Sequence, residues 1–164
     1  MPITLKGSCR CGAVHFSVES HAPVPYQLCY CSICRKTAGG GGFAINLSAG
    51  AATLKVEGED KVGSFSAEIR GDDGACEHSQ AQRRFCTGCG TALWLFDPRW
   101  PELLHPFASA IDSHLPRAPE KTHMMLRFKA SWVEPAIGPR DQSFDDYPEE
   151  SIEDWHRKRG LWVD

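Results

Sequence analysis

At 164 residues, of which 41% are hydrophobic and 24% charged, the chain has the length of one domain spanning 1–164, large enough to bury a core without covalent staples. No apolar run approaches the roughly 20 residues of a spanning helix, and a formal net charge of −3 gives no general basic surface for neutralising phosphates, so neither membrane nor nucleic acid is an expected partner. Met1 leads into Pro2-Ile3-Thr4-Leu5 without the basic, apolar and small-residue regions of a secretory leader; the expected address is cytoplasmic, where eight cysteines point to metal binding in preference to disulfides.

In chain order, Ile3 and Leu5, then Val14, Phe16 and Val18, recur at every second position, as in half-buried strands. Gly7-Ser8-Cys9-Arg10-Cys11-Gly12 is the connection between them. Its glycines let the backbone bend so that both sulfurs of a C-x-C pair face one side; the alternative is a tight turn with two incidental cysteines. His21 to Pro25 carries two prolines and interrupts the pattern.

The densest chemistry follows, in Cys29-Tyr30-Cys31-Ser32-Ile33-Cys34-Arg35-Lys36. Three thiols spaced C-x-C-x-x-C can converge on a soft tetrahedral ion, with zinc the first candidate. Three protein ligands leave a fourth position for water or substrate, unless a ligand from elsewhere closes it. Arg35 and Lys36 would make the field positive, favour thiolate over thiol and attract an anionic substrate; otherwise they are ordinary solvated charges. A helical turn is expected over Ser32–Ala38. Gly39 to Gly42 ends it, either as a hinge or, as the neighbouring triplet favours, as a place where a ligand approaches the backbone.

Strands are expected at Phe43–Leu47, Thr53–Glu57 and Lys61–Ile69. The polar stretch Gly71–His78 reads as a loop, with Cys76 and His78 as surface residues lacking motif spacing. Cys86-Thr87-Gly88-Cys89-Gly90 has the form of a zinc knuckle, whose turn directs backbone N–H groups at its sulfurs, and a strand Thr91–Phe96 leaves from it. Its simplest partner is the Cys9/Cys11 pair, because two pairs complete a tetrahedron while the triplet stays intact. Leu103–Ile111 and Thr122–Phe128 read as strands. His105, His114 and His123 are unclustered and read as polar surface or satisfied core groups. Glu134–Pro148 is loop-like. Ser151 is the N-cap of a C-terminal helix with Glu153 and Asp154 in its first turn, Arg157-Lys158-Arg159 at its end, and Trp155 and Trp162 docked on the body.

Gly7-Ser8-Cys9-Arg10-Cys11-Gly12-Ala13-Val14, the triplet with Arg35-Lys36, Phe85-Cys86-x-x-Cys89-Gly90-Thr91-x-Leu93-Trp94, and His123 with Phe128-Lys129-Ala130-Ser131-Trp132 together resemble the motif series of the glutathione-dependent formaldehyde-activating enzyme family. The resemblance covers about 5–132, leaving 133–164 as a C-terminal extension. It implies a mainly β, Mss4-like antiparallel fold built around zinc sites, with short helices and a C-terminal helix. It further implies a structural zinc on Cys9, Cys11, Cys86 and Cys89 and a labile catalytic zinc on Cys29, Cys31 and Cys34. The implied activity is that of a carbon–sulfur lyase acting in reverse, condensing formaldehyde or another small aldehyde with glutathione to an S-hydroxymethyl adduct. Arg35 and Lys36 would then hold a carboxylate of the tripeptide. A trio of thiolates makes zinc electron-rich, which favours delivery of a thiolate over polarisation of the aldehyde. Two readings compete: a non-enzymatic zinc-binding interaction module, against which the lack of a basic tail speaks, and thiol redox chemistry at the triplet.

Overall fold

The alternating N-terminal residues form a hairpin in the computed structural model, which describes residues 1–164. β1 (Ile3–Ser8) and β2 (His15–Ser20) pair antiparallel, Leu5 opposite Val18 and Gly7 opposite Phe16. Gly7 has to be glycine: an added Cβ would lie 2.5 Å from the Phe16 ring and 2.6 Å from the Ala110 carbonyl oxygen. β6 (Lys55–Glu57) extends this sheet beyond β2.

A five-stranded antiparallel sheet faces it, in the order β5 (Ala49–Gly50), β12 (Leu103–Pro106), β11 (Ala92–Phe96), β10 (Gln82–Cys86), β7 (Val62–Phe65). Between the two sheets Leu5, Val14, Phe16 and Val18 meet Leu47, Leu93, Trp94 and Leu104, all buried. Each such side chain contributes roughly 1.5–3 kcal/mol of burial. Strict alternation would send Leu93 and Trp94 to opposite faces. The pairing shifts between Arg84 and Phe85, Arg84 opposing Trp94 and Phe85 opposing Ala92, and this bulge turns both into the core. Phe16 meets Trp94 edge-on with ring centres 5.1 Å apart.

The third sheet carries the triplet. β3 (Gln27–Cys29) pairs antiparallel with β4 (Ala44–Ile45) and parallel with β13 (Thr122–Met124), which in turn pairs parallel with β14 (Gln142–Ser143). The fold is thus mainly β and largely antiparallel, and its parallel pairs join strands too distant in sequence for a hairpin to fix their direction. α1 (Ser32–Ala38) leaves from β3 with the Cys31 sulfur accepting the Cys34 N–H as its cap.

Several boundaries differ from the expected ones. Lys61–Ile69 divides into β7 and β8 (Glu68–Arg70), and the expected loop 71–78 contains β9 (Cys76–His78), which pairs with β8 around a left-handed Gly74. The Leu103 strand ends at Pro106, and a 3-10 turn covers Ala108–Ala110. The Thr122 strand ends at Met124, because Met125 takes φ +60° and leads into a 3-10 turn, Leu126–Phe128. α2 (Ile152–Lys158) is capped by Ser151, whose Oγ accepts the Asp154 N–H at 3.0 Å. Trp155 is fully buried and stacks on Tyr26 at 3.6 Å, while Trp162 stacks on His21 at 5.1 Å. No helix is long and apolar enough to cross a membrane.

Candidate metal centre

Two turns of similar construction bring four cysteines together. After β1, the Cys9 N–H donates to the Val14 carbonyl at 3.0 Å and the Gly12 N–H to the Cys9 carbonyl at 3.1 Å. After β10, the Cys86 N–H donates to the Thr91 carbonyl at 2.9 Å and the Gly90 N–H to the Cys86 carbonyl at 2.8 Å. Gly12 and Gly90 take φ +79° and +77°, the left-handed conformation such turns need. The Arg10 N–H donates to Thr91 Oγ1 at 3.1 Å and joins the two turns.

The Cys9 and Cys11 sulfurs lie 3.5 Å apart, those of Cys11 and Cys86 3.7 Å, and all four sulfurs, with Cys89, fall within 4.8 Å of one another. A regular ZnS₄ tetrahedron with bonds of about 2.3 Å has edges of about 3.8 Å, so a zinc ion fits the space these sulfurs enclose. The local dipoles favour thiolate. Burial alone would raise the Cys9 thiol, but N–H groups of Val14 and Gly12 and the adjoining thiols hold it below its ordinary value. The Thr91 hydroxyl and N–H, then the Cys11 N–H, bring Cys89 down to about 5. At Cys11 the Ala13 N–H acts downward, but the three neighbouring sulfurs push the thiol up to about 11. Like charges crowded in this way call for a cation among them.

Cys29, Cys31 and Cys34 form the second cluster, their sulfurs also within 4.8 Å. Cys29 ends β3, Cys31 caps α1 and Cys34 lies buried in its first turn. No fourth cysteine, histidine or carboxylate joins this cluster. Contacts with Cys29 and Cys31, then Arg83, hold Cys34 down at about 2, whereas Cys29 is pushed far up by the other two sulfurs and by burial. Cys34 Sγ accepts from Arg83 Nη2 at 3.6 Å and Asn46 Nδ2 at 4.0 Å. Arg83 Nη1 also donates to Thr37 Oγ1 at 3.3 Å. Beside them runs a groove of about 280 Å³ lined by Thr37, Phe65, Arg83, Phe85, Ala92 and Phe107. The Tyr147 phenol is raised by desolvation and then by the influence of the three sulfurs.

Arg35 and Lys36 do not donate to the sulfurs. Lys36 is exposed and Arg35 half-buried, its Nε without a partner. The guanidinium that reaches the triplet is Arg83, which sequence reasoning passed over. Its one signal is its position, three residues ahead of Cys86 on the strand that leads into the knuckle. Cys76 is exposed on β9 and belongs to neither cluster. His105 is tied through Nδ1 to the Leu47 carbonyl at 2.9 Å, and His114 is exposed.

The family model described as "Glutathione-dependent formaldehyde-activating enzyme" matches residues 4–126. A Halomonas elongata protein named "Putative glutathione-dependent formaldehyde-activating enzyme" is 57% identical over 157 residues, covering 96% of this chain and 97% of that protein. A crystal structure of a Rhodobacter sphaeroides protein aligns with a TM-score of 0.48 at 26% identity, over 68% of this chain and 91% of that one.

Proposed function

Because the chain belongs to the glutathione-dependent formaldehyde-activating enzyme family, we propose that it condenses formaldehyde, or another small aldehyde, with glutathione, with Cys29, Cys31 and Cys34 holding a catalytic zinc and Cys9, Cys11, Cys86 and Cys89 a structural one. One observation carries this reading: the triplet has three sulfurs and no fourth protein ligand, and a cation-bearing groove adjoins it, whereas the other cluster has its four corners. Zinc in the triplet would favour the thiolate form of an incoming thiol and bring it to the aldehyde. The reaction adds S–H across C=O. A sulfur–carbon bond forms, the carbonyl π bond breaks, and the thiol proton ends on the new hydroxyl, which makes the enzyme a carbon–sulfur lyase working in reverse.

The chain's own residues have separate tasks. Arg83 and Asn46 donate to Cys34 Sγ and offset the charge that accumulates among the sulfurs. The groove holds the body of the tripeptide, and Arg83 joins Arg35 and Lys36 as a partner for its carboxylates. The apolar lining from Phe65, Phe85 and Phe107 lowers the polarity around the Arg83 guanidinium and strengthens its hold on an anion.

Formaldehyde and glutathione combine without help, so the informative quantity is acceleration above that background, read by exchange NMR at several enzyme concentrations. Cys34→Ser should remove the acceleration while the protein stays folded, since it spares the four-cysteine cluster. A parent rate that does not rise with enzyme, across formaldehyde and several other aldehydes, would leave a zinc-binding module without this activity. An undiminished rate in Cys34→Ser would reject the assigned site.

A further inference from the structure

Behind the triplet runs a buried chain of side chains that the proposed chemistry does not use. Tyr30, between Cys29 and Cys31, donates its hydroxyl proton to His123 Nδ1 at 2.8 Å, and His123 Nε2 donates to Asp141 Oδ2 at 3.0 Å. Tyr30 and His123 are each 1% exposed, and the Asp141 side chain 10%. Asp141 is itself anchored: Oδ1 accepts the Lys121 N–H at 2.8 Å and Oδ2 the Gly138 N–H at 2.9 Å. Burial acts to raise this carboxyl, but those N–H groups and His123 hold it down at about 2, so it is a fixed anion at the end of the chain. Tyr30 is held on every side, its ring against Phe43 and His123 and its N–H on the Met124 carbonyl at 3.1 Å.

Geometry makes this more than packing. In extended backbone, residues i and i+2 share a face and residue i+1 takes the other. The sulfurs of Cys29 and Cys31 converge only when Tyr30 points away from them. Any rotation of Tyr30 about the segment's axis therefore swings both sulfurs. A site with four ligands can absorb such a swing, because its remaining corners hold the ion. A site with three has no spare corner and depends on how well its sulfurs are aimed beforehand.

We infer that the Tyr30–His123–Asp141 chain is a positioning device for the triplet, fixing the rotation of the Cys29–Tyr30–Cys31 segment and with it the aim of two of the three sulfurs. None of the three residues touches substrate. Tyr30 and His123 lie within the stretch matched by the family model, 4–126, while Asp141 lies beyond it, so the segment after the matched region takes part in shaping the site. The inference rests on the triplet binding a metal and is independent of which thiol or aldehyde is used.

The test loads the full chain with Co²⁺, whose d–d and sulfur charge-transfer bands report geometry and thiolate number, and measures affinity at each site by chelator competition. Tyr30→Phe and His123→Ala should weaken Co²⁺ at the triplet by on the order of tenfold and shift its d–d bands, leaving the four-cysteine site as in the parent. His123→Gln, whose amide can both accept and donate, should recover part of the loss. If Tyr30→Phe does not fold, Asp141→Asn carries the same expectation and the same refutation. Parent-like affinity and bands at the triplet in the folded variants would overturn the inference. So would equal weakening of both sites in every variant, which marks a general loss of stability. A parent that takes up cobalt at the four-cysteine cluster alone would reject the metal reading of the triplet, and this inference with it.

Discussion

Cys89→Ser isolates what the four-cysteine site contributes to stability. Cys89 is exposed, and its sulfur meets Thr91 Oγ1 at 3.2 Å. Exchanging sulfur for oxygen there removes the proposed metal ligand without placing a hydroxyl in the core, which would happen at fully buried Cys86. The cluster joins positions 75 residues apart, Cys11 and Cys86. By the chain-entropy relation for a cross-link, closing a loop of that size removes about 4.5 kcal/mol of freedom from the unfolded chain. For a domain of this length each kcal/mol corresponds to about 2–4 °C in Tm, so complete loss of the ion should lower Tm by about 9–18 °C. The three remaining thiolates retain metal weakly, and the measurement therefore uses a chelator at a concentration the parent's four-cysteine site withstands. Differential scanning calorimetry gives Tm, and metal analysis of the same samples gives zinc per chain. Cys76→Ser, on an exposed thiol in neither cluster, is the control and should leave both unchanged. A Cys89→Ser protein that keeps the parent's zinc and melts within about 2 °C of it would refute the structural assignment.

Arg83→Gln keeps a donor but removes the charge; it should raise KM for glutathione by about tenfold, the lower range for a charge-assisted hydrogen bond in a half-open groove. The rise should be much smaller for a thiol without carboxylates, and equal effects on both would remove Arg83 from carboxylate binding. Stability should also fall as pH drops below about 6.5, the ordinary histidine value. Burial holds both His105 and His156 below that value in the fold, so over this range the unfolded chain binds protons that the native state does not, until the folded imidazoles titrate in turn. His156 accepts the Val24 N–H and donates to the Ile152 carbonyl. His156→Gln can keep both bonds without titrating, so it should show a shallower fall in Tm between pH 7.5 and 5.5; an unchanged slope would refute its share.

What could be read from the sequence was local. Alternation from Ile3 to Val18 gives the first hairpin, the knuckle turn is written in Cys86 to Gly90, and Ser151 with two acidic residues after it marks the start of α2. Both cysteine groupings were legible because ligand spacing is itself a local pattern. The partners of those groupings were not. Arg83 reaches Cys34 across 49 positions, and Tyr30 finds His123 across 93; no short-range periodicity encodes either pairing. Proximity in sequence also leaves direction open within a helix. Successive residues on α1 turn by about 100°, so Arg35 and Lys36, though adjacent to Cys34 in sequence, cannot both present their charge on its face. The glycine run shows the same limit. A Cβ at Gly39 would lie 2.0 Å from the Phe43 carbonyl oxygen, and Gly42, at φ +94°, sits against Val133. Those two are required by the chain's own contacts, while the space beside Gly40 is open.

The two clusters differ in what surrounds them, and this bears on the different roles proposed for them. Cys9 and Cys86 belong to the main core, packed with Leu5, Phe16, Leu93 and Trp94. An ion bound there would link the ends of the two facing sheets, and releasing it would loosen both. The segments that carry the triplet are secured without an ion. Leu28, Tyr30, Ala130 and Val133 pack behind them, β3 is paired on both sides, and the Tyr30–His123–Asp141 chain fixes the turn between β3 and α1. Losing an ion from the triplet should therefore cost little of the fold, as the catalytic role proposed for it would require. The buried network behind the triplet and the knuckle at the sandwich edge thus meet the same demand in different ways: in one, side-chain hydrogen bonds hold the backbone with or without an ion, and in the other a bound metal would hold it.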